Sequence, residues 1–196
     1  KDAKPVKFAP PKDGVSLSMT VQSEHPTGLV AFTGARVVTM AAKDGGIIDN
    51  AVILVENDRI KAVGKMGDFP IPAGAKTVDV TGKTIIPGLV DAHAHGPHGV
   101  DEMTPQQNWV NMLNLAMGIT TRHDPSSSAA TVFPALEMQR AGLLLGPRSF
   151  STGETVYGAK SADVYAEING LDDALAHARR LKAQGAHSVK NYNQPR

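Results

Sequence analysis

His93 and His95 flank a single alanine in the run Gly88-Leu89-Val90-Asp91-Ala92-His93-Ala94-His95-Gly96. Two imidazoles at that spacing are the residue types of half a metal site. If the run is the exit of a strand, both rings project to one side, because side chains alternate and residues two apart share a face. The approach Ile85-Ile86-Pro87-Gly88-Leu89-Val90 reads as a buried strand, which would set the pair at its mouth. A plainer alternative stands beside this one: one core histidine and one exposed neighbour. Short motifs also match by chance, so the elements around the pair must decide.

Composition narrows the field. Among 196 residues, 20 Lys and Arg face 19 Asp and Glu, for a formal net charge of +1. Such a balance implies no nucleic-acid or polyanion partner. No apolar run approaches the ~20 residues that span a bilayer. Cysteine is absent, so disulfides and thiolate ligands are excluded, and any cation must use His, carboxylate or a modified Lys. The chain opens at Lys1 without a signal-peptide pattern and closes at Gln194-Pro195-Arg196 just after a strand-like run. It is expected to be an interior piece of a longer polypeptide.

Three regions follow one another. Residues 1–28 are rich in Lys, Pro and Asp and read as a linker, with one strand at Val15–Met19. Residues 29–84 carry short strands and tight turns: Ala35–Met40, a turn at Lys43-Asp44-Gly45-Gly46, Ala51–Val55, a turn at Glu56-Asn57-Asp58, Arg59–Gly64, and Thr77–Val80. Alternation and turn chemistry predict a small antiparallel β-sandwich segment. From residue 85 the rhythm becomes strand, loop, helix. The first strand is expected over 85–95. A helix follows from Thr104-Pro105-Gln106-Gln107, with Thr104 as N-cap and Pro105 at the first helical position. Trp109, Val110, Met112, Leu113, Ala116 and Met117 form its apolar face.

A second strand is expected at Ile119–His123, a helix over 131–141, a third strand at Arg148–Ser151, a helix over 171–184, and a fourth strand at His187–Lys190. In the last helix Leu171, Leu175, Ala178 and Leu181 recur at helical spacing, with Asp172 and Asp173 at the positive end and Arg179, Arg180 and Lys182 near the negative end. Alternating elements of this length make parallel βα units. The fold class is therefore α/β: the first four units, residues 85–196, of a (β/α)8 barrel. Half a barrel leaves unpaired strand edges, so the other half must come from the full-length protein or from a second chain.

The segment Thr84-Ile85-Ile86-Pro87-Gly88-Leu89-Val90-Asp91-Ala92-His93-Ala94-His95 closely resembles the start of the amidohydrolase superfamily. Gly118-Ile119-Thr120-Thr121-Arg122-His123-Asp124-Pro125 resembles its second strand, and the likeness runs from about residue 29 to 196. The blocks Pro105–Trp109, Gly146–Gly153 and Ser188–Arg196 are similar to bacterial members fused behind a Tol-type β-propeller and often exported to the periplasm. Ala94 stands where that subgroup commonly has a bulky residue.

This resemblance implies a metal-dependent hydrolase of carbon–nitrogen bonds in amides, cyclic amides or dipeptides. It implies a small-molecule substrate, and a homodimer is compatible with it; cytoplasm or periplasm would be the compartment, the latter favoured. His93 and His95 would ligate a divalent ion, Zn²⁺ foremost, present once or twice. Lys190, at the end of strand four, would bridge two ions as a carbamate; a structural lysine paired with a carboxylate is the alternative. His123 and Asp124 end strand two, where they either support the next strand or touch a ligand histidine or the substrate. His98 is a loop histidine or a substrate contact. Tyr157 either hydrogen-bonds substrate or packs its loop. His25, His177 and His187 have no comparable setting, and Ser126-Ser127-Ser128 is an N-cap-rich turn rather than a nucleophile. The family's remaining ligands and its general-base aspartate belong to later strands, so the isolated piece is expected to be inactive. A one-metal deaminase and a non-catalytic barrel scaffold remain as alternatives.

Overall fold

The computed structural model describes residues 13–15, 20, 22, 25–41, 45–99, 103–105, 107–157 and 165–191. The expected strand at 15–19 lies outside them except for Val15, as do most of the linker, residues 158–160 of the loop after Tyr157, and the block 192–196.

Strands β1 (Leu29–Val38) and β2 (Ile47–Glu56) pair antiparallel, and β3 (Arg59–Lys65) returns beside β2 through the two-residue turn Asn57-Asp58. Asn57 holds a φ of 57°, a left-handed conformation that asparagine tolerates. Its amide donates to the Gly28 carbonyl at 2.8 Å and its Oδ1 accepts from the Gly28 N–H at 3.0 Å.

The chain then crosses back, and β4 (Lys76–Asp79) and β5 (Thr84–Ile85) both lie along the far side of β1, parallel to it. The expected antiparallel sandwich segment is thus corrected to one mixed sheet, in the order β3-β2-β1-β4 with β5 also on β1. The cause is the crossover through 66–75, which returns the chain to the end of the sheet from which β1 starts. Both faces are covered. Ala51 and Ile53 pack with Ala35 and Val37 on one side, and Val52 and Leu54 with Ala31 on the other. A two-sided core explains why Ala51–Val55 is continuously apolar instead of alternating. Gly34, with φ 85°, makes the bulge at which the β1 register slips. A Cβ there would collide with the Thr81 hydroxyl.

Only Ile86, Pro87 and Gly88 separate β5 from β6 (Leu89–Asp91), which belongs to a different sheet. The predicted strand over 85–95 is therefore two short strands. Strand β6 is followed by α1 (Trp109–Ala116), β7 (Ile119–Asp124), α2 (Ala129–Arg140) and β8 (Arg148–Ser151), and the three strands form a parallel sheet in sequence order. Gly88 sits so close to β7 that a Cβ would overlap the Thr120 side chain. Leu89 and Val90, on opposite faces of β6, are 49% and 67% exposed, against the expectation of a buried strand.

The first helix begins later than predicted. Its N-cap is Asn108, whose Oδ1 accepts from Val110 N–H at 3.0 Å and Asn111 N–H at 3.4 Å, and Thr104 lies before it in irregular chain. Helix α1 buries Asn111 and leaves Trp109 67% exposed, so its predicted apolar face is turned outward.

Helix α2 has Ser128 at its N-cap, yet the serine side chain makes no capping bond. Glu154, in the loop after β8, does that work: its Oε1 accepts from the Ala129 N–H at 2.9 Å and its Oε2 meets Arg180 Nη2 at 3.1 Å. Beyond it, β9 (Thr155–Tyr157) and β10 (Tyr165–Glu167) pair parallel, and α3 (Leu171–Gln184) spans the predicted residues. Of its predicted apolar stripe Leu181 is buried, against Val132, Phe133 and Leu136 of α2, while Leu171 and Leu175 are exposed. The expected fourth strand over 187–190 is replaced by irregular chain that, among the described residues, pairs with β9 through a bridge from Asn191 to Val156.

Candidate metal centre

Strand β6 ends at Asp91, so His93 and His95 lie just beyond the strand and not on it. Local bonds do what alternation was expected to do. The Asp91 carboxylate accepts from the His93 N–H at 3.0 Å, a short-range turn of the kind Asp side chains favour. One residue on, the Ala94 N–H donates to the His123 carbonyl at 2.9 Å and pins the segment to β7. The two rings meet edge to face, with centroids 4.9 Å apart. Their Nε2 atoms are 3.1 Å apart.

Two lone pairs at that separation repel unless a proton or a cation lies between them. A cation about 2.1 Å from each nitrogen would see them at roughly a right angle, which is within the range of two neighbouring ligands. The donor pair fits a divalent ion as two ligands. Among the described residues, no group of three or more His, Asp or Glu side chains is arranged to hold one alone.

Behind the pair runs a buried polar chain. Arg122, 1% exposed on β7, donates from Nε to Ser149 Oγ at 2.9 Å and from Nη2 to His98 Nδ1 at 3.3 Å. His98 Nε2 is 2.8 Å from Asp124 Oδ2. The other Asp124 oxygen accepts from the Ser126 N–H at 3.0 Å and lies 3.4 Å from His95 Nδ1. A guanidinium donates and never accepts, so His98 Nδ1 must be the acceptor and its proton sits on Nε2, directed at Asp124. Burial pushes the Arg122 guanidinium below its ordinary range, while the Asp124 and Asp91 carboxylates act in the opposite sense.

The remaining predicted residues divide. His98 lies in the loop after β6, as expected, and is buried there against Asp124 and Arg122. His123 projects from β7 opposite to Arg122 and Asp124 by strand alternation, and its Nε2 lies 2.7 Å from Ser188 Oγ. It thereby ties β7 to the segment that leads to Lys190. Tyr157 is buried on β9, where its carbonyl accepts from the Ile168 N–H at 3.0 Å. Lys190 is half-buried, and its carbonyl accepts from the Val156 N–H at 2.9 Å.

Sequence reasoning did not single out Arg122, Ser149 or Asn108. Asn108, besides capping α1, donates to the Pro97 carbonyl at 2.7 Å and so anchors the loop after His95. The signal for Arg122 was present: Arg-x-Asp on a strand puts two opposite charges on one face, and on a covered face they must find partners.

No family model matches this chain. It is 41% identical over 80 residues to an imidazolonepropionase of Sphingopyxis alaskensis, a stretch covering 41% of this chain and 18% of that protein. With an imidazolonepropionase of Erwinia tasmaniensis it shares 29% identity over 173 residues, 80% of this chain and 41% of the relative. Among solved structures, a Bifidobacterium longum protein assigned as a prolidase superposes with a TM-score of 0.68 at 22% identity, over 90% of this chain and 42% of that one. The chain thus spans less than half the length of these relatives. Its fold is the mixed α/β fold of that structure, and the curated relatives are enzymes.

Proposed function

We propose that this chain forms the opening part of a metal-dependent hydrolase acting on carbon–nitrogen bonds of small amides, cyclic amides or dipeptides. The observation that carries the reading is the convergence of His93 and His95 Nε2 to 3.1 Å, with a carboxylate behind His95. His93 and His95 would hold a divalent ion, with Zn²⁺ the best match to an all-imidazole pair. Lys190 would contribute a third contact, as a free amine or as a carbamate bridging a second ion. When bound, the ion would lower the pKa of water toward 7 and polarise the scissile carbonyl.

This chain's own residues prepare for that. The Asp91 turn and the Ala94 tie to β7 aim the two rings at one point. His123 and Ser188 hold the approach to Lys190 against β7, and the Arg122–Asp124 chain closes the wall behind the site. Curated relatives named imidazolonepropionase and dihydroorotase, each matched over part of its own length, support carbon–nitrogen chemistry.

The test is metal analysis and turnover of the complete polypeptide. One or two equivalents of zinc, lost together with hydrolysis of cyclic amides or dipeptides in His93→Ala and His95→Ala, is the expected outcome. Absence of any stoichiometric divalent ion would overturn the hydrolase reading in favour of a scaffold. Zinc retained in both variants would relocate the metal.

A further inference from the structure

We infer that Asp124, oriented by the buried His98 and Arg122, is a positioning residue that sets the tautomer and ring direction of His95. The inference rests on the metal reading for its purpose, but its geometry stands independently. Three facts carry it. Arg122 Nη2 approaches His98 Nδ1 at 3.3 Å, and a guanidinium can only donate. His98 Nε2 therefore carries the proton that fills Asp124 Oδ2 at 2.8 Å. The other oxygen, Oδ1, faces the Ser126 N–H and His95 Nδ1, at 3.0 and 3.4 Å.

With Oδ1 acting as acceptor, the His95 proton resides on Nδ1 and the Nε2 lone pair points outward, at His93. Carboxylates behind ligand histidines do this elsewhere, fixing the ring and raising its basicity. The feature particular to this chain is the second histidine. His98 never faces the cation; it spends both ring nitrogens holding the orienting carboxylate in place. Asp124 is fully buried and Arg122 nearly so, which leaves water no role in that choice. Asparagine at 124 would break the pattern, since whichever way its amide turned, one neighbour would meet the wrong partner. An NH₂ facing His98 demands an acceptor at Nε2, which returns a proton to Nδ1 against Arg122. An NH₂ facing His95 leaves two donors opposed across Nδ1–H.

Two measurements on the full-length protein decide it. The first is ¹⁵N NMR of the histidine rings in the metal-free protein. His95 is expected as the Nδ1–H tautomer and His98 as Nε2–H; a wild-type His95 protonated on Nε2 overturns the inference, whether or not any variant folds. The second is zinc affinity by chelator competition. Asp124→Asn should weaken zinc by about 10- to 100-fold and move the His95 proton from Nδ1 to Nε2 in the ring spectrum. Weakened zinc with the His95 tautomer unmoved shows a merely structural role and overturns the inference, as does an unchanged affinity. If the wild type takes up no zinc, the hydrolase reading fails, and the tautomer spectrum still decides this one.

Discussion

Arg122 Nη2 sits 3.3 Å from His98 Nδ1, and this one contact fixes the sense of the bond from His98 Nε2 to Asp124 behind the His93–His95 pair. A donor-only group at the root of the chain makes the chain directional. The order runs from guanidinium to imidazole to carboxylate to imidazole, back and forth between β7 and the loop after β6.

Removing that root should be costly. Arg122→Met roughly keeps the volume but removes the donor to Ser149 Oγ and His98 Nδ1, and leaving such buried polar groups unsatisfied costs about 1–3 kcal/mol each. Urea unfolding of the full-length protein should show a loss of that order. A change below about 0.5 kcal/mol would mean that water reaches the network.

Gly88 is held by contact, not by backbone freedom. A methyl group there overlaps Thr120 on the neighbouring strand. Gly88→Ala should therefore destabilise the protein by about 1–3 kcal/mol, as overpacking does. The double variant with Thr120→Gly should recover part of that loss relative to Thr120→Gly alone, measured as a coupling energy in a thermal or urea cycle.

The cap of α2 comes from Glu154 rather than from the serine at its start. Glu154→Ala should lose about 1 kcal/mol, the usual worth of an N-terminal cap. Ser128→Ala should stay within about 0.5 kcal/mol of wild type. A reversed ranking in equilibrium unfolding would assign the cap to the serine.

Asp79 accepts from Thr81 twice, from the hydroxyl at 2.6 Å and from the backbone N–H at 2.9 Å, and the hydroxyl bond is the main cause that holds its carboxyl below the ordinary range. A carboxylate lowered in the folded state contributes stability that is present above its unfolded pKa and disappears as pH falls through the lowered folded value. Thr81→Ala should move Asp79 upward in a carboxyl NMR titration. No movement would mean that the turn bond contributes nothing in solution.

Much of the frame could be read from residue order because its signals are local. Helix α3 carries acidic residues in its first turn and a glycine at its end, and its limits match. Strand β7 is legible from its β-branched Ile119, Thr120 and Thr121, and β8 from the Gly146-Pro147 turn before it. What failed depended on partners distant in sequence. The 187–190 segment has strand composition, but a strand exists only where a neighbour offers a ladder, and among the described residues of this stretch only Asn191 meets one. The Asn108 cap competed with an equally good pattern at Thr104. The pair at 93 and 95 was found for a partly mistaken reason: the rings converge through the Asp91 turn and the Ala94 tie, not through strand alternation. The burial of His98 depends on Asp124, 26 residues away, and no local pattern could announce it.

Three residues, Ile86 to Gly88, join the mixed sheet to the parallel one. Proline removes one backbone torsion from that junction, and the glycine is wedged onto Thr120, which removes much of the remaining slack. A load on the five-stranded platform therefore has a short route to β6 and the histidine corner beyond it. Cross-links or antibodies gripping the platform should alter the geometry of the imidazole pair.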